Sequence, residues 1–170
     1  VARGRLHGNR LASVQVIFRQ TPKVSGAGHF GSRLVFDREG MLYITLGDRQ
    51  KFAPAQDVRQ SLGKVMRIRP DGGLPGNNPA WPGKAALPGT YSIGHRNPQG
   101  AALHPQTGAL WISEHGPQGG DEINRIRAGG NYGWPTVSYG CMYGQPVGID
   151  CRIGGGRHAP GFFEPLGIWA

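Results

Sequence analysis

Apolar residues recur in this chain at alternate positions over short stretches, each bounded by glycine, proline or aspartate. Alternation at every second residue marks a strand with one buried face, and Gly/Pro/Asp clusters mark the turns between strands. Leu11 to Phe18 (LASVQVIF) reads as a strand, followed by a loop from Gln20 to Phe30. Arg33–Phe36 and Met41–Leu46 flank Asp37–Gly40, which predicts a β-hairpin. Lys64 to Arg69 alternates again and stops at the turn Pro70–Gly73; Leu74 to Gly89 is loop, dense in Pro, Gly and Asn.

The pattern then recurs. Ala101–His104, the turn Pro105–Gly108 and Ala109–Ser113 repeat the hairpin, with Gly108 standing 68 positions after Gly40. Trp111, Ile112 and Ser113 take the places of Tyr43, Ile44 and Thr45, and Glu122 to Ile126 follows as a third strand. Hairpin, strand and long loop, repeated, predict an all-β fold of propeller type with decorated blades. A β-sandwich is the rival architecture. A propeller needs at least four blades to close, and each blade buries its faces against its neighbours. Residues 1–170 are therefore expected to be one partial propeller domain of about two to three blades, its N- and C-terminal blades absent. The start at Val1–Arg5, without Met or an apolar leader, and the end in Ile168-Trp169-Ala170 suit that expectation.

Composition narrows the class further. Thirty glycines and fourteen prolines are incompatible with a helical bundle. Four Trp, five Tyr and six Phe oppose disorder, which lacks aromatic residues. No stretch approaches the ~18 apolar residues of a membrane-spanning helix. The net charge of +9 suits an acidic ligand, since Arg binds planar carboxylates through paired hydrogen bonds. No Lys/Arg run or nucleic-acid motif accompanies it, so no nucleic-acid partner is expected. Cys141 and Cys151 leave two possibilities open, a disulfide or two free thiols.

Four polar segments sit at one end of the predicted hairpins. Gly28–Arg33 carries His29, the side chain most readily poised as a general base. Gly47–Arg49 carries Asp48, which the hairpin brings beside His29; a carboxylate there would fix the imidazole tautomer and raise its basicity. Gly94–Gly100 (GHRNPQG) offers Arg96, Asn97 and Gln99 to a planar, oxygen-rich ligand. Ser113–Glu122 (SEHGPQGGDE) combines irregular backbone with carboxylates, a composition that suits Ca²⁺. Each segment read alone is equally a solvated loop or turn. In a propeller all four converge on one mouth of the central channel.

Together these residues resemble the soluble pyrroloquinoline-quinone-dependent sugar dehydrogenases, in particular their aldose sugar dehydrogenase branch. The strings that carry the resemblance are His29 to Asp48, Leu62 to Ile68, GHRNPQG, Ser113 to Asn124 and Gly129 to Pro135 (GGNYGWP), spanning about residues 26–140. The resemblance implies a six-bladed β-propeller, of which this chain covers somewhat under half. It implies oxidation of the anomeric C1–OH of an aldose to a lactone, by hydride transfer to pyrroloquinoline quinone (PQQ). By the same resemblance His29 is the general base, Asp48 orients it, and Arg96 binds the cofactor near its reactive carbonyl. Asn97 and Gln99 are further cofactor contacts. Gly116 and Pro117 hold, through their carbonyls, a Ca²⁺ that bridges to the cofactor. Glu122 and Tyr132 hold a second, structural Ca²⁺, the tyrosine through its carbonyl, and Tyr143 lies near the sugar. The implied partners are the aldose and an external electron acceptor, the implied location periplasmic or secreted, and the chain alone is expected to be inactive. A non-catalytic propeller that binds a protein or glycan, and a Ca²⁺-dependent lactonase-like hydrolase, are the alternative functions. Retention of both His29 and Arg96 speaks against the first, and a mainly carbonyl ion site against the second.

Overall fold

The computed structural model describes residues 1–83 and 85–169. Lys84, within the predicted loop 74–89, and the terminal Ala170 lie outside the described residues. The fold is all-β. Strands β1 (Ala2–His7) and β2 (Arg10–Val16) form an antiparallel hairpin. Strands β3 (Gly31–Phe36), β4 (Leu42–Leu46), β5 (Lys64–Ile68) and β6 (Thr90–Ile93) form an antiparallel blade. A second blade holds β7 (Pro98–Leu103), β8 (Leu110–Glu114), β9 (Asp121–Arg125) and, after a long excursion, β11 (Gly167–Trp169). Within that excursion β10 (Gly130–Asn131) crosses back to pair in parallel with β6 of the first blade. The edge strands β3 and β7 lie side by side. Two blades and the hairpin of a third make a partial propeller.

Both predicted hairpins form, but β3 begins two and β7 three residues before the alternation, so Pro98–Gly100 of the segment read as loop are strand. The strand read over Leu11–Phe18 is Arg10–Val16, and the 68-residue offset maps β4 onto β8 end to end. The first turn is built by Asp37. Its backbone N–H donates to the Met41 carbonyl at 2.8 Å, and its carboxylate accepts from the N–H groups of Met41 (2.7 Å) and Glu39 (3.1 Å). Gly40 supplies the left-handed residue the turn needs (φ 78°). The third strand of the second blade begins one residue earlier than the alternation suggested. Strands β1 and β6 escaped the pattern: in ARGRLH the face opposite the basic residues is only Ala2, Gly4 and Leu6, all exposed, and TYSI is a short run at the end of a Gly/Pro loop.

Both faces of β4 and β5 are buried. Leu42, Ile44, Leu46, Met66 and Ile68 pack toward the N-terminal segment, against Val1, Ile17 and Phe18. Tyr43 and Val65 face the other way and meet Leu110, Ile112 and Ile126 of the second blade and Tyr132, which follows β10. Each such side chain contributes about 1.5–3 kcal/mol of apolar burial. This stacking fixes the rotation of one blade on the next, and hence which loops meet at the blade ends.

Candidate active site

The register of the first hairpin builds the first pair. Gly31 opposes Leu46, so the residues just outside the two strands, His29 and Asp48, face each other. Their side chains meet at 2.6 Å, His29 Nδ1 to Asp48 Oδ1. Asp48 is fully buried. Its Oδ1 also accepts from the Gln50 N–H (2.8 Å), and its Oδ2 from the Phe52 N–H (3.2 Å) and the Trp134 indole N–H (2.8 Å). Burial by itself would push this carboxyl up. The hydrogen bonds from His29, Trp134 and Gln50 outweigh it and hold Asp48 below its ordinary value. The loop that points these N–H groups inward needs left-handed backbone at Arg49, Gln50 and Phe52 (φ 56°, 58° and 61°), and His29 itself has φ 53°. Such conformations in non-glycine residues cost energy and cluster at functional sites. Nδ1 of His29 is engaged by Asp48, and among the described residues Nε2 has no partner.

Gly47 brings the third segment in. A Cβ at this position would overlap the His29 carbonyl oxygen and crowd that of Arg96. The Asp48 N–H donates to the Arg96 carbonyl at 2.8 Å. The Arg96 backbone N–H donates in turn to Glu114 Oε2 (2.8 Å), and its buried guanidinium donates through Nη1 to the carbonyls of His115 (3.0 Å) and Gly116 (2.5 Å). Arg96 Nη2 reaches the Tyr143 hydroxyl at 3.4 Å, and Nε is buried without a partner. The guanidinium also lies over the Trp134 ring, 5.2 Å from its centroid. All four predicted segments therefore gather around Arg96 and Trp134.

The remaining sequence-predicted residues divide. Asn97 is buried and spends its side-chain oxygen on the Gly31 N–H (3.2 Å), tying the two blades together. Gln99 is exposed and meets His115 Nε2 at 3.2 Å. The carbonyls of Gly119 and Gly120 crowd the space where a Cβ on Gly116 would stand, so this loop packs backbone oxygens closely. Beside it a cavity of about 10 Å³, room for one water or ion, is lined by Glu114, Glu122, Tyr132, Arg96 and His115, among others. The Asn124 amide donates to both carboxylates at 3.0 Å, while its own Oδ1 is buried and unpartnered. Burial, then the neighbouring Glu114 charge, pushes Glu122 up to about 8. The Tyr132 hydroxyl is already spent on the Arg125 carbonyl (2.6 Å) and the Arg127 N–H (2.9 Å), which leaves only its carbonyl for an ion. Among the described residues, no three His, Cys, Asp or Glu side chains are arranged to hold a metal. A cation here would rest on carbonyls and the glutamates.

Tyr143 is mostly exposed. It rides on the loop closed by a disulfide between Cys141 and Cys151, which answers the question the sequence left open. Sequence reasoning missed four residues. Trp134 was visible only as part of GGNYGWP, with no role attached. Glu114 holds both the Arg96 N–H and His95 Nδ1 (2.9 Å). His95 and His158 are buried, the latter with Nε2 3.5 Å from Glu122 Oε1. No local pattern marks them, because their partners lie on other segments.

Fold and site together define a partial propeller with a carboxylate-supported imidazole beside a buried arginine at one end of its blades. The sequence model of the glucose / sorbosone dehydrogenase family matches residues 1–170, and the chain belongs to that family. It is 40% identical over 171 residues to Aldose sugar dehydrogenase YliI of Escherichia coli (strain K12), covering 99% of this chain and 45% of that protein. It is 39% identical over 133 residues to Quinoprotein glucose dehydrogenase B of Acinetobacter calcoaceticus, covering 67% of this chain and 27% of that one. The solved PQQ-bound form of aldose sugar dehydrogenase from Streptomyces coelicolor superposes with a TM-score of 0.73 at 33% identity, over 98% of this chain and 42% of that one. The chain thus spans less than half the length of these relatives.

Proposed function

We propose that these residues form the base-bearing part of a PQQ-dependent aldose dehydrogenase, which converts the C1–OH of an aldose to a lactone. The observation that carries this reading is the 2.6 Å contact of His29 with buried Asp48, placed next to Arg96 and leaving the other imidazole nitrogen without a partner among the described residues. When bound, the quinone supplies the acceptor for the C1 hydride. The site suits such a planar anion: Arg96 carries a buried, unpartnered N–H, held between the Trp134 and Tyr143 rings. His29 Nε2 takes the proton of the anomeric hydroxyl while Asp48 holds Nδ1 protonated and compensates the imidazolium. Arg96 offsets negative charge that develops on the oxygen-rich ligand. Asn97 and Gln99 flank it on the same segment, and Tyr143 faces the sugar.

Calcium is proposed at two places. At the first, the carbonyls of Gly116 and Pro117 would hold the ion, with the Gly116 oxygen shared with Arg96 Nη1, which already donates to it. Glu122 and the Tyr132 carbonyl border the acidic cavity, where a divalent ion would neutralise two buried carboxylates. We place the protein in the periplasm or outside the cell, a reading supported by the Cys141–Cys151 disulfide. An external electron acceptor would reoxidise the cofactor. The 170 residues alone are expected not to turn over, since the relatives draw on a chain more than twice as long.

The test is His29→Gln in the full-length protein that carries these residues, reconstituted with quinone and Ca²⁺ and assayed with a dye acceptor. Turnover falls by about 10²–10⁴-fold while quinone binding is kept. Normal turnover in this variant would remove the base assignment.

A further inference from the structure

Trp134 joins the two charged groups of the site, its N–H on Asp48 and its ring on Arg96. Its side chain is buried, and its backbone is pinned on both sides: the N–H donates to the Gly94 carbonyl (3.1 Å), and the carbonyl accepts from Gln56 Nε2 (2.7 Å). The same Gln56 exchanges two hydrogen bonds with Asn131 (2.7 and 3.0 Å), which locks the 130–134 segment onto the first blade. The indole is thereby delivered edge-on to Asp48 and face-on to Arg96. Phe52 packs against it with ring centroids 5.5 Å apart.

The charges around Asp48 make this placement consequential. His29 faces it from the loop before β3, and Arg96 lies across the indole on the β6–β7 connection. Arg49 follows it in sequence but turns away, its guanidinium donating to the Gly26 and Gly28 carbonyls. Among the described residues, Asp48 pairs only with His29, and Arg96 forms no ion pair at all. The indole contacts both the buried carboxylate and the buried guanidinium, and no direct pair forms between them. Pairing would take Asp48 from the base and Arg96 from the ligand.

We propose that Trp134 is a positioning residue: its N–H fixes the second oxygen of Asp48 so that the first is presented to His29, and its ring face gives Arg96 a partner other than Asp48. The N–H acts on the base and the face acts on the cation, so the two can be separated. This rests on the reading of His29 and Asp48 as the base pair.

Trp134→Phe removes the N–H and keeps an aromatic face. In the full-length protein without cofactor, the Asp48 carboxyl, followed by ¹³C NMR, should titrate higher than in wild type, toward the ordinary carboxylate range. In the reconstituted enzyme kcat/KM for the sugar should fall about tenfold, with quinone affinity changed less than about twofold. Trp134→Leu removes the face as well, and quinone affinity should then fall about tenfold. Should Trp134→Phe not fold, benzothienylalanine at position 134 decides, having the shape of tryptophan without the N–H; the same Asp48 shift is expected. An unmoved Asp48 titration in either N–H-free protein overturns the proposal, as does a loss of thermal stability with no change at Asp48. If wild type oxidises no sugar, the functional reading fails, while the Asp48 titration still judges Trp134.

Discussion

Replacing the Glu122 carboxyl by an amide should abolish the pH dependence that this group imposes on stability. Glu122 and Glu114 share one amide, that of Asn124, in a site with room for a single small guest. Without a cation, burial and the Glu114 charge raise Glu122 from 4.5 to about 8. The folded protein then keeps a proton that the unfolded chain gives up near 4.5. This contribution is present below that value and is lost as the pH rises toward 8. At about 1.4 kcal/mol per pH unit, the loss reaches roughly 4 kcal/mol, an upper bound because the two carboxyls titrate together. The assay is urea unfolding, followed by tryptophan fluorescence, of the full-length protein and its Glu122→Gln variant in chelator. The two should be close in stability near pH 5, and wild type should be the weaker by up to roughly 4 kcal/mol at pH 8. His158 and Lys64, both lowered by burial, the latter to about 7, make stability rise with pH in neighbouring ranges. Lys64 is common to both proteins and cancels; His158 stands 3.5 Å from Glu122, so repeating the comparison on a His158→Gln background isolates Glu122. Calcium at about a hundred times its Kd should return about 2.7 kcal/mol to wild type at pH 8 and little to the variant. A stability difference independent of pH, or an equal response of both proteins to Ca²⁺, would refute the assignment of this cavity to a cation.

Two further substitutions probe the scaffold of the site. Arg96→Lys replaces a planar fork that reaches the His115 and Gly116 carbonyls with a point charge; quinone affinity should fall at least about tenfold while the melting temperature moves only a few degrees. Unchanged affinity by titration would show that the fork geometry is dispensable. Gly47→Ala drives a Cβ into the His29 carbonyl, and chemical unfolding should register a loss of about 2 kcal/mol or more together with lower activity. Equal stability would contradict the close approach of the three loops.

What could be read locally was read correctly in kind. The alternation in Met41–Leu46 and Ala109–Ser113 produced the central strands, because a half-turn per residue decides which side chains share a face whatever lies beyond. The pairing of His29 with Asp48 was legible for the same reason: hairpin register sets which residues stand opposite, and these two flank paired strand ends. Strands β1, β6 and β11 were not legible. Their backbone is ordered by partners already in place, and β11 returns to β9 only after the whole 132–166 excursion. The cysteine pairing, the acidic cavity and Trp134 share that origin. Trp134 reaches Asp48 across 86 positions, through a crossing of β10 onto β6 that no local composition encodes. Sequence alone therefore determined the strands, the turns and the polar segments at their ends, since those follow from side-chain period and backbone preference within a few residues. Tertiary structure alone decided that Trp134 meets both Asp48 and Arg96, because that depends on how one blade is rotated against the next when both faces of β4 and β5 leave water.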